Sequence, residues 1–308
     1  MANKKILIAV LALAISVNAG CGIINKPVTS GDTNIAEPAD AKQERIMKEY
    51  ENIINEENGI LEYISFIDKN IGDLSPDNAS MLIIKLEEMQ KEHRLRLEDK
   101  YYIPDIQNEL DETFRPEYDL SNVKVEDVKS EGAKKILQET NELGYKVETA
   151  EGSFFPIIDY GFYEKYSSYV NLDIKDYISI MTVESDKVPA KDAAMVISWD
   201  ELFERAFNQE KFLEEHKASS KFEELEALYK KYVTFAIYGL DNTPLFNYDG
   251  NTMNADAKAA YAKSIAKDSN LSRIMKEYYE TIEKNGFKLT DKVKSYRNDL
   301  ANTMKLMP

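Results

Sequence analysis

From Asp40 onward the apolar residues return every three or four positions, and that spacing commits the chain to amphipathic helices. Ile46, Met47, Tyr50, Ile53 and Ile54 form one stripe, and Leu61, Ile64, Ile67 and Ile71 continue it past Asn58-Gly59. Ser75-Pro76 is a helix start, with Ser at the N-cap and Pro at the first helical position. Leu82, Leu86, Met89, His93 and Leu97 then share one face. Shorter helices are expected over 105–114 and 131–143, the second closed by Gly144. Ser198-x-x-Glu201 and Ser220-x-x-Glu223 read as capping boxes ahead of apolar runs. Further helices fit 172–183, 255–267, 271–284 and 290–304, with a Gly/Asn/Pro-rich loop over 239–254. The fold class expected is mostly α, a helical bundle or array of one or two lobes. At most a short β-hairpin or extended segment is expected near 145–160, where aromatics cluster about a Gly-Ser turn.

Composition supports a folded core: 43% of the 308 residues are hydrophobic and 31% charged. One Cys excludes a disulfide framework and a thiolate metal site, and two His leave little for a His-ligated centre. The formal net charge of −16 argues against nucleic acid, which is held through phosphate neutralisation by a basic surface.

The amino terminus is an export signal. Lys4 and Lys5 precede an apolar run over residues 6–17, too short to cross a bilayer as a helix of ~20 residues. Asn18-Ala19-Gly20-Cys21 follows and resembles the lipobox of bacterial lipoproteins, with Asn18 where that motif has Leu. The resemblance implies a diacylglyceryl anchor on Cys21 and a position on the outer face of the cell membrane. Cleavage after Ala19, giving a secreted chain with a free thiol, and an uncleaved anchor are the alternative readings. The expected organisation is a signal peptide over 1–20, a lipidated Cys and flexible tether over 21–41, a helical region over 42–144 and a helical domain over 145–308. A tether of that length spans about 25 Å as a flexible coil. The stretches 151–160, 184–187 and 238–246 also resemble uncharacterised extracytoplasmic lipoproteins of Gram-positive bacteria, a likeness that bears on address and not on mechanism.

The usual nucleotide-binding, serine-hydrolase and zinc-protease signatures are absent, and no cofactor or metal is implied. His93 reads as a core-edge histidine and His216 as a helix-end cation. Asn247-Tyr248-Asp249-Gly250-Asn251, with Asn254 and Asp256 beyond, reads as a turn and an N-cap, and as a calcium loop in second place. Phe154, Phe155, Tyr160, Phe162, Tyr163, Tyr166 and Tyr169 put seven aromatics in 16 residues. Core packing and a sugar-stacking surface are the two readings of that segment, with Phe154, Phe155, Tyr160, Phe162, Tyr163 and Tyr166 as the candidate surface.

Glu184-Ser185 resembles the Glu-Ser dipeptide of lytic transglycosylases, which implies a Glu that protonates a glycosidic oxygen. That family's downstream Gly-Ala-x-Gly-Leu-x-Gln is replaced here by Asp186-Lys187-Val188-Pro189. The leading functional reading is a lipid-anchored binding module for a protein or a cell-wall glycan. A glycan-cleaving enzyme using Glu184 is second, and a transporter's solute-binding lipoprotein is third.

Overall fold

The computed structural model describes residues 38–55, 59–114, 120 and 123–306. The signal peptide, Cys21 and most of the tether lie outside the described residues. The described chain runs α1 (Ala39–Asn55), α2 (Ile60–Asn70), α3 (Pro76–Tyr101), α4 (Pro104–Phe114) and α5 (Glu131–Glu142). A hairpin of β1 (Tyr145–Ala150) and β2 (Ser153–Ile158) follows, then a 3₁₀ segment, Tyr160–Tyr166, and α6 (Leu172–Asp186). Two-residue ladders β3 (Ala190–Lys191) with β4 (Ala194–Met195) and β5 (Gly239–Leu240) with β6 (Thr243–Pro244) bracket α7 (Trp199–Glu215) and α8 (Phe222–Tyr238). The chain closes with α9 (Ala255–Ser264), α10 (Asn270–Lys284) and α11 (Asp291–Thr303). The fold is mostly α, as the periodicity predicts. Among the described residues no helix is long and apolar enough to cross a membrane.

Helix starts follow local chemistry. Ser75 accepts from the Asn78 N–H at 3.3 Å, Ser198 from Glu201 N–H at 3.1 Å, and Asn254 from Asp256 and Ala257 N–H at 2.9 and 3.1 Å. Asn254 is thereby spent on the α9 cap, the turn-and-cap reading of the 247–256 loop. The box at Ser220 does not form. Helix α8 begins after Lys221, whose ammonium has no acceptor to offer a backbone N–H and is instead drawn inward to Glu87.

The β1–β2 hairpin turns through Glu151 and Gly152, both at positive φ, the geometry that two-residue hairpin turns need. Its register pairs Tyr145 with Ile158 and Thr149 with Phe154, so Tyr145, Val147, Phe154 and Ile158 share the buried face. Phe155 alternates to the other face and is half-buried. The following 3₁₀ segment has a period of three, which sends Tyr160, Tyr163 and Tyr166 into the core and leaves Phe162 half-buried. The expected stacking surface therefore gives way to packing, because the two periods turn four of its six rings inward, away from any ligand.

Buried apolar residues form two clusters inside one compact body over 38–308. One gathers side chains from α1 to α6 together with Phe212 of α7 and Leu225 of α8, and the other gathers the remaining buried apolar residues from Ile197 to Val293. Leu213 and Leu228, from α7 and α8, pack against both. Neither cluster is built on the parallel sheet that a transporter's solute-binding lobes require.

A buried polar knot ties α3 to the rest. The Glu87 carboxylate, on the core face of α3, accepts from the hydroxyls of Tyr160 (2.5 Å) and Tyr177 and pairs with the ammoniums of Lys221 and Lys91 (2.8 Å). Lys221 also lies 4.8 Å from the Tyr177 ring centre. Burial pushes the Glu87 carboxyl up, but Lys221 and Lys91 outweigh it and hold the group below the ordinary carboxylate range.

Candidate functional site in the groove between α6 and α7

Helix α7 carries polar residues where its apolar stripe should continue. Leu202, Ala206 and Phe212 are buried, and Arg205 and Gln209 occupy the intervening positions on that face. Their side chains meet Glu184 from the last turns of α6. Together they floor a groove of about 270 Å³ walled by Ile180, Val183 and Phe212 and rimmed by Asp176, Asn208 and Glu215.

The floor is buried and charged. Glu184 is 9% exposed, Arg205 5% and Gln209 0%. Both Glu184 oxygens accept from the Tyr232 hydroxyl, at 2.6 and 2.8 Å, and the Arg205 guanidinium stands 3.5 Å away. Arg205 also donates to the Lys187 carbonyl at 2.8 Å and to Glu201 at 2.5 Å. Burial raises the Glu184 carboxyl above the ordinary carboxylate range, with Tyr232 and Arg205 opposing the shift. The Glu184 carboxyl is thus engaged within the protein by a hydroxyl and a guanidinium.

Two polar atoms here have no hydrogen-bond partner: Arg205 Nε, a donor, and Gln209 Oε1, an acceptor. The Gln209 amide makes only a 3.5 Å contact to Glu184 through its nitrogen. A buried polar group without a partner costs roughly 1–3 kcal/mol. Arg205 and Gln209 stand four residues apart on α7 and both line this groove, so each brings one unpaired polar atom to it.

His216 caps α7 beside the groove residue Asp176, its Nε2 2.8 Å from Asp176 Oδ2. Its ring rests against Phe212, with centres 4.9 Å apart. His93 lies half-buried on α3, 6.1 Å from the Tyr145 ring, as a core-edge histidine does.

No protein-family model, no curated protein and no solved structure matches this chain. The site therefore has to be argued from its own geometry. Of the residues singled out in the sequence, Glu184 lies on the groove floor and His216 stands beside its lining residues Asp176 and Phe212, while none of the six aromatics lines the groove: Phe154, Tyr160, Tyr163 and Tyr166 are in the first core, and Phe155 and Phe162 are half-buried. Arg205, Gln209, Asp176 and Glu215 were missed. The signal for two of them was present: an Arg and a Gln standing in the apolar stripe of an amphipathic helix.

Proposed function

We propose that this protein is a lipid-anchored binding protein on the outer face of the cell membrane, and that the α6–α7 groove takes a neutral, amide-bearing portion of a cell-wall polymer. The unpartnered donor of Arg205 and the unpartnered acceptor of Gln209, brought to one groove, carry this reading. An amide offers the matching carbonyl and N–H in one planar group, and both wall peptides and acetamido sugars contain it. Gln209 has three side-chain torsions, so its carbonyl reaches a ligand by rotation. The groove volume of about 270 Å³ suits one such unit, not an extended chain. A net charge of −16, and a groove lining in which Asp176, Glu184 and Glu215 outnumber Arg205 and Lys211, disfavour the anionic parts of the wall.

The anchor is supported by the order of Lys4, Lys5, the apolar run and Cys21. Expressed in a bacterium, the wild type is expected in the membrane fraction with a diacylglycerol-sized mass increment, and Cys21→Ala is expected to lose both. Wild-type protein of unmodified mass in the medium would overturn the anchor.

The groove is tested with Gln209→Leu, which removes the stranded acceptor and only a long, weak contact. Binding of solubilised wall fragments is expected to fall tenfold or more, while the free variant melts higher by roughly 2–4 °C for each ~1 kcal/mol recovered. A lower melting temperature with fragment binding intact would make Gln209 a structural residue.

A further inference from the structure

We propose that a divalent-metal site for Zn²⁺ lies beside the α6–α7 groove, with Asp176, Glu215 and His216 as its three protein ligands. One ligating atom from each of these residues lies within 4.8 Å of those of the other two. They come from the first half of α6 and from the end of α7, so tertiary structure and not local sequence brings them together. Zn²⁺ binds such oxygen and nitrogen atoms at about 2.0–2.2 Å in a tetrahedron, which sets them about 3.4 Å apart. Asp176 Oδ2 and His216 Nε2, at 2.8 Å, need to open slightly. Glu215 has only to swing in, and among the described residues its one ion pair is a 3.9 Å contact to the exposed Lys211.

Three further observations favour a cation at this spot. Helix α7 ends here with no Lys or Arg in its last turn, and its C-terminal carbonyls favour positive charge at this spot. The Phe212 ring fixes the imidazole, which removes part of the ordering cost of coordination. The fully buried Gln209, with its unpartnered carbonyl, lines the same groove about two turns back along α7. Three protein ligands leave the fourth position of the tetrahedron open toward that groove. An imidazole nitrogen also selects against the hard cations Ca²⁺ and Mg²⁺, which take oxygen ligands. The metal would give the groove a Lewis-acidic lip able to hold a carbonyl oxygen of the ligand. That use rests on the binding reading above, whereas metal uptake does not.

The test uses the full chain in detergent, purified without a histidine tag, and Zn²⁺ alone as the probe. Isothermal titration of wild type is expected to give one Zn²⁺ per chain, weakened about 100-fold or more in Asp176→Asn and in His216→Gln, with unchanged circular dichroism. The chain has two His, so the imidazole NMR signals supply an internal control: that of His216 should move with Zn²⁺ and that of His93 should not. No uptake by wild type, or uptake retained in both variants, overturns the site. Fragment binding measured without metal, and metal uptake measured without fragments, separate a failure here from a failure of the groove reading.

Discussion

Replacing Gly239 with alanine is expected to cost more than about 4 kcal/mol and to collapse the second core. Gly239 ends α8 at φ 72° and ψ −155°, a region that residues with a Cβ essentially never occupy. Conformational strain of that kind costs about 1–3 kcal/mol alone. A Cβ here would also stand 2.4 Å from Leu245 N and Thr243 O and 2.7 Å from Pro244 C, all backbone atoms. No rotamer relieves such contacts, so the β5–β6 ladder would have to move, and Leu245 and Phe246 behind it are core residues. Gly152→Ala is the control, because Gly152 also has positive φ (75°) but nothing within 4 Å of its Cβ position. Urea unfolding should show a loss of about 1–2 kcal/mol for Gly152→Ala. Equal losses for the two variants would mean that the clash contributes nothing.

Glu87→Leu is expected to destabilise by about 3–5 kcal/mol, because it strands the Lys221 ammonium in the interior. The Lys221 side chain is only 8% exposed and its other carboxylate neighbour, Glu224, is 3.6 Å away. Lys91 keeps Glu224 at 2.8 Å, and the two tyrosine hydroxyls, 3.3 Å apart, can pair with each other. The cost therefore resides mainly in Lys221. Adding Lys221→Met to Glu87→Leu should recover most of the loss, since both charges are then replaced by apolar groups of similar length. A double-mutant cycle measures this, and a double variant no more stable than Glu87→Leu would locate the cost in the tyrosines instead.

The same pair sets part of the acid limb of stability. Glu87 is depressed in the fold, so its contribution is complete above the ordinary carboxylate range and is lost as pH falls through the folded value. Glu184 and Glu210, both raised by burial, act with opposite sign: their contributions are present at low pH and fade as pH rises through their folded values. In the double variant the loss of stability on acidification should be shallower than in wild type. An unchanged acid limb would show that Glu87 is not among the groups that drive it.

Much of this architecture is legible in sequence because it is local. The caps at Ser75, Ser198 and Asn254 satisfy N–H groups two or three residues away, and no distant partner is needed. The hairpin follows from Glu151-Gly152 at its turn. Ser220 shows the limit: the capping box does not form there, and α8 starts one residue later, after Lys221, whose side chain pairs with a carboxylate 134 positions away in sequence. The repeated Arg-Ile-Met-Lys-Glu-Tyr of α1 and α10 shows the same limit. The first copy buries Ile46 and Tyr50, and the second buries Met275 and Tyr278. The same Ile-Met-Tyr face is inward in both, and the neighbours decide only whether Ile or Met is fully buried.

The candidate site divides the same way. Glu184 drew notice at the end of an apolar helix, and His216 at the end of another. Sequence alone thus determined that this chain would be helical, where most helices begin, and that polar side chains would interrupt their buried faces. Only the tertiary structure decided which interruptions are quenched and which stay open. Glu87 meets two ammoniums and two hydroxyls in a filled interior. Arg205 and Gln209 keep an unpaired donor and acceptor in a groove. The physical reason is range. Helix formation and capping act over four residues or fewer, whereas the partner of a buried polar group is set by which helices pack together.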